Sequence, residues 1–124
     1  MLQMLSPGEE IGHELRWLRR QIDRLELRFS QLAAAFERTE YRDEVGDNSA
    51  IDWIRFNCHM TRPAAANRVA VGERLFELPQ SSKAMEAGEI GFAHLTILAR
   101  TAEVVGKDSD ETKLLELAKE HSRA

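Results

Sequence analysis

The feature that most constrains this chain is a run of apolar residues at Ile11, Leu15, Leu18, Ile22, Leu25, Phe29, Leu32 and Phe36. Their spacings alternate four and three without a slip, and neither glycine nor proline interrupts them after Gly12. A repeat of seven with two apolar positions places one side-chain stripe along an α-helix and fits pairing with a second helix. Ser6 followed by Pro7 and Glu9 supplies a cap, a proline at the first helical position and an acidic first turn. The pattern predicts one long helix over residues 9–38.

With Leu15, Ile22, Phe29 and Phe36 at position a, Arg19 and Glu26 occupy e, and Glu14, Gln21 and Arg28 occupy g. A parallel pair offers Glu14 against Arg19 as its one kind of opposite-charge contact. An antiparallel pair matches Glu14 with Arg28 and Arg19 with Glu26, in a register centred near residues 21 and 22. Exposed pairs contribute only tenths of a kcal/mol each, so they set a preference. The expectation is a homodimer through this helix, antiparallel favoured. The alternative is that the seam packs on its own chain.

The rest of the chain reads as shorter helices. Residues 39–48 are polar and loop-like. Ser49 with Asp52 caps a helix carrying Ile51, Trp53, Ile54 and Phe56, and Asn57 to Met60 form a tight connection. Thr61 caps the next helix, with Arg62 and Pro63 in its first turn; it runs to about Glu77, where Pro79 stops it. Ser81 or Ser82 caps a further short helix that ends with Gly88 at C′. Ile90 to Val105 forms another, closed by Gly106, and a last helix starts at Ser109 and continues to Ala124. The expected architecture is all-α: a heptad helix and loop over 1–48 serving as an association arm, then a compact domain over 49–124 of about five helices, cut short at its C-terminal end.

A chain of 124 residues that is 43% hydrophobic, with seven glycines and three prolines, is long and apolar enough for one core, which excludes disorder and disfavours an all-β fold. A formal net charge of −4 excludes a nucleic-acid binder that works through its whole surface, so any such contact must be a local patch. Cys58 has no second cysteine to pair with. With no basic n-region, no apolar h-region and no apolar run of membrane-spanning length, the chain reads as cytoplasmic, with no membrane role.

Chemistry-bearing motifs are absent. His13, His59, His94 and His121 sit on different predicted elements without a metal-ligand spacing. Cys58 and His59 are adjacent, but Trp53, Phe56 and Met60 give the cysteine an apolar setting suited to packing. No cofactor, small-molecule ligand, metal or catalytic group is expected, and the chain does not read as an enzyme. The helix pair from Ser49 to Glu77 has helix-turn-helix proportions, with Ala65, Val69 and Phe76 on one apolar strip of its second helix and Ala64, Val71, Leu75 and Leu78 on another. Its outer arc carries Arg62, Asn67 and Arg74, residue types that read guanine and adenine edges, with Ala66 and Ala70 permitting close approach. Glu73 and Glu77 oppose phosphate there. A second basic group, Arg16, Arg19, Arg20, Arg24 and Arg28, reads as the solvated flank of the long helix.

Over about residues 49–102 the Trp53 helix, Thr61-Arg62-Pro63-Ala64-Ala65, Arg68, Leu75, Leu78-Pro79, Ala84, Gly88-Glu89-Ile90 and Ala93-His94 occur in an order that resembles the 13E12-repeat family. That family is a domain of unknown function found before HNH endonuclease domains. Gly91 departs from it, standing where the family tends to place serine. The resemblance implies a non-catalytic module of an HNH-endonuclease-type protein, with the nuclease beyond Ala124. Its expected role is DNA recognition and self-association, with Arg62, Asn67, Arg68 and Arg74 facing double-stranded DNA. The alternative is an oligomerisation or protein-interaction module with no nucleic-acid role.

Overall fold

The computed structural model describes residues 5–39, 41, 49–106 and 110–123. Among them are six α-helices and no strand: α1 (Pro7–Glu37), α2 (Ala50–Asn57), α3 (Arg62–Arg74), α4 (Pro79–Glu86), α5 (Phe92–Val105) and α6 (Glu111–Arg123). A 3₁₀ turn, Leu75–Glu77, joins α3 to α4. The all-α architecture, a long first helix followed by shorter ones packed together, is the one the hydrophobic periodicity dictates. The loop expected over 39–48 falls mainly on residues outside the described ones, as does Ser109.

Local chemistry explains the helix starts. Ser6 accepts from the Glu9 amide at 3.2 Å, Ser49 from Asp52 at 3.2 Å and Thr61 from Ala64 at 3.3 Å, each satisfying an otherwise unpaired first-turn N–H. Gly88 adopts φ 79° just past α4, where its amide reaches the Met85 carbonyl at 3.0 Å, and Gly106 closes α5 with φ 70°. Asp110 caps α6, its carboxylate accepting from the Lys113 amide at 3.2 Å.

One helix start differs from the sequence-based expectation. Pro79 does not separate helices but opens α4 at its first position, and neither Ser81 nor Ser82 caps it. The amides of Gln80 and Ser81 donate instead to the two carboxylate oxygens of Glu111, at 3.2 and 2.9 Å. The Ser81 hydroxyl is buried without a hydrogen-bond partner among the described residues. A similar long-range cap serves α2, whose Ala50 amide donates to Glu37 of α1 at 2.9 Å. Both short helices therefore borrow an acceptor from a helix distant in sequence.

The second half of α1 is part of the core. Its buried residues are Asp23, Leu27, Ser30, Ala33 and Ala34, and the face they form packs chiefly against α3. The crossing is close because Gly72 lies against the Ser30 backbone: a Cβ on Gly72 would collide with the Ser30 carbonyl and come within 2.7 Å of the Ala34 Cβ. The main core gathers Leu27, Val71, Leu78, Met85, Phe92, Leu95, Leu98 and Leu115 from α1 and α3 to α6. A second cluster, Ala33, Ala50, Ile54, Ala65 and Val69, joins α1, α2 and α3. The division into an arm over 1–48 and a separate domain over 49–124 thus gives way to one body into which α1 is built from about Asp23 onward, with residues 7–20 exposed apart from the half-exposed Gly12.

Candidate association surface

Most of the heptad seam is turned away from its own chain, and only Phe29 and Phe36 at its C-terminal end pack on the second core cluster. Leu15 is 63% exposed and Leu25 68%, whereas Leu27, two residues further on, is 7% exposed. Ile11, Leu18, Ile22 and Leu32 are exposed as well, and Phe29 and Phe36 are half-buried. On a helix the seam and the buried face cannot coincide, because residues 23, 27, 30 and 34 repeat with the same four-three rhythm on the side of the wheel away from the seam. The small residues take the close crossing with α3, and the large aliphatic residues are left outside. Monomeric proteins rarely expose a contiguous stripe of this kind without a partner for it.

At its C-terminal end the seam opens into an apolar groove between α1 and α2. Phe29, Leu32, Ala33 and Phe36 form one wall, and Tyr41, Trp53, Ile54 and Cys58 the other, around about 260 Å³. Phe36 meets Trp53 edge to face with centroids 4.8 Å apart, and Tyr41 lies 6.0 Å from Phe36. Cys58 ends α2, its amide donating to the Ile54 carbonyl at 2.8 Å, and its half-buried thiol lines the groove. His59 next to it is exposed and has a left-handed backbone, φ 54°.

The four residues expected to face DNA all have partners on their own chain. Arg62 donates to Asp52 at 3.1 Å, and Arg74 to both Glu77 oxygens at 3.1 and 3.2 Å. Asn67 accepts from Arg100 of α5 at 3.0 Å. Arg68 is largely buried: it donates to Glu26 of α1 at 2.7 Å and to the Ala64 carbonyl at 3.0 Å, and its guanidinium lies 5.4 Å from the Phe92 ring centroid. Arg68 thereby joins α1, α3 and α5. Helix α3 as a whole is packed by α1, α2 and α5. Ala70 is buried, so it offers no approach to a groove, and Phe76, expected on a core strip, is 80% exposed.

Two of the charges expected to steer helix pairing are also engaged. Arg19 donates to the buried Asp23 at 2.9 Å, and Glu26 holds Arg68. Gly91 caps α5 without a side chain, and the His94 ring compensates by accepting from the Gly91 amide at 3.1 Å. Sequence reasoning missed the Glu37 and Glu111 caps, Arg68 as a tie between helices, and the groove. The Ser30-Ala33-Ala34 run opposite a lone glycine is the one signal that could have located the crossing.

Among the described residues no cluster of histidine, cysteine and carboxylate side chains could hold a metal ion, and no helix is long and apolar enough to cross a membrane. No family model, curated protein or solved structure matches the chain.

Proposed function

We propose that this chain is a non-catalytic association module that pairs with a second copy of itself through the exposed seam of α1. The observation that carries this reading is the division of α1 into two faces. Its small residues close on α3, while Ile11, Leu15, Leu18, Ile22, Leu25 and Leu32 stay exposed along one stripe. Burying such a stripe contributes roughly 25 cal/mol per Å² of apolar surface, the main source of association energy for paired helices. The resemblance to the 13E12-repeat family supports placing the module in a cytoplasmic HNH-endonuclease-type protein. Sedimentation of the wild type and of Leu25→Asp tests the reading: a dimer that the substitution dissociates is expected, and a monomeric wild type at about 100 μM, well above a micromolar dissociation constant, overturns it.

A second reading, DNA recognition, rests on the exposed arginines of α1, where Arg16, Arg24 and Arg28 project beside the seam. With Arg62, Asn67, Arg68 and Arg74 occupied, α3 reads bases only if these partners exchange for phosphate and base edges. Absence of duplex binding at about 50 mM salt, or binding unchanged in an Arg62→Ala/Arg74→Ala double variant, removes α3 from that role.

A further inference from the structure

We infer that the groove between α1 and α2 is completed by the N-terminal arm of a second copy, which lies antiparallel across it with Ile11 and Leu15 as the inserted residues. This deepens the association reading and rests on it. In an antiparallel pair, a positions pack against d positions of the other helix. One register, centred between Asp23 and Arg24, pairs all eight seam residues. Ile11 meets the partner's Phe36, Leu15 the partner's Leu32, Leu18 the partner's Phe29 and Ile22 the partner's Leu25, each contact occurring twice by symmetry. Sliding by one heptad toward the N-terminus would set Leu32 against Gly8 and carry Phe36 past Pro7, where the partner's α1 begins. The full-matching register leads the exposed arm onto the half-buried end of the seam, where Phe29, Leu32 and Phe36 already line the groove.

Three further observations fit that occupant. Residues 7–19 of the arm are exposed apart from the half-exposed Gly12, while the groove has apolar walls and lies at the other end of the same helix. Antiparallel pairing also sets the positive N-terminal end of each helix dipole beside the negative C-terminal end of the other. In area, a helix about 11 Å across burying a third of its girth over about 42 Å removes about 500 Å² per copy, so about 1,000 Å² in all, the floor for a specific interface. The arm's seating in the groove adds to that. The register lies a little C-terminal to one chosen on charges alone, because packing of eight apolar layers outweighs four exposed ion pairs.

Cys58 lines the groove and serves as the native reporter. An Ile11→Cys variant, treated with a short bis-maleimide, is expected to form a covalent dimer joined between Cys58 and the introduced thiol, identified by peptide mapping. The link is lost when Cys58→Ala is added. Labelling of Cys58 in the wild type should also slow as concentration rises, and lose that dependence in Leu25→Asp. A dimer that still cross-links after Cys58→Ala, through two introduced thiols, is parallel and overturns the inference while leaving self-association standing. Cross-linking of the wild type through Cys58 alone also overturns it. A monomer by sedimentation overturns both readings together.

Discussion

The Cα of Gly72 sits against the carbonyl oxygen of Ser30 so closely that no side chain fits between them. Because the obstruction is backbone, no rotamer change on α1 relieves it. Gly72→Ala should force α1 and α3 apart, costing about 2–3 kcal/mol, as overpacking of a close contact does, even though alanine is the better helix former. Thermal unfolding checks this, with a midpoint lowered by about 10 °C expected. Ser30→Ala in the same background should give no rescue, since it leaves the carbonyl in place, and an unchanged midpoint for Gly72→Ala would disprove the close crossing.

Arg68 is predicted to be a stability residue. Arg68→Ala leaves Glu26 without its cation in a half-buried place and removes the cover from the Phe92 ring, an expected loss of about 2 kcal/mol. Arg68→Lys should recover only part of it, because a lysine cannot pair with Glu26, reach the Ala64 carbonyl and stack on the ring at once. Urea unfolding of both variants distinguishes this from a purely ligand-facing role, which would leave the midpoint unmoved.

Glu111 should hold α4 in place from the far end of the chain. Glu111→Ala frees the amides of Gln80 and Ser81, and loss of an N-terminal cap costs about 1 kcal/mol. Amide hydrogen exchange at these two residues should accelerate more than in α3. Equal protection in the variant would mean that α4 is capped by some other group.

Leu25 and Leu27 lie two residues apart and should fail in opposite ways. Leu25→Asp is expected to abolish association and leave the helical circular dichroism signal intact, because the side chain is 68% exposed. Leu27→Asp places a charge in the main core and should unfold the chain. If the two variants behave alike, the separation of faces on α1 is wrong.

The elements themselves were legible because their signals are local. Ser6, Ser49 and Thr61 cap the helices they precede, and Gly88 and Gly106 end theirs with the left-handed backbone that glycine allows. What the sequence concealed was which face of α1 turns inward. Hydropathy ranks Leu25 above Ser30, but the inner face was chosen by size. Ser30 and Ala34 permit approach to Gly72, an advantage that exists only once both helices are present. The same holds for the candidate site. Arg62, Asn67, Arg68 and Arg74 share one helix, but their partners come from α2, α5, α1 and the turn after α3. Periodicity within α3 contains none of those contacts.

The tight crossing also governs aim. From Ser30 to Ile11 the helix extends about 28 Å, so a tilt of about 10° at the crossing would swing the tip by about 5 Å, roughly one helical turn. Gly72 therefore acts as a keyway for a long lever, fixing both its azimuth and its pitch. A substitution there that the fold survives would still misdirect Ile11 and Leu15, and the range of tolerated residues at position 72 would be set by pointing accuracy before stability runs out.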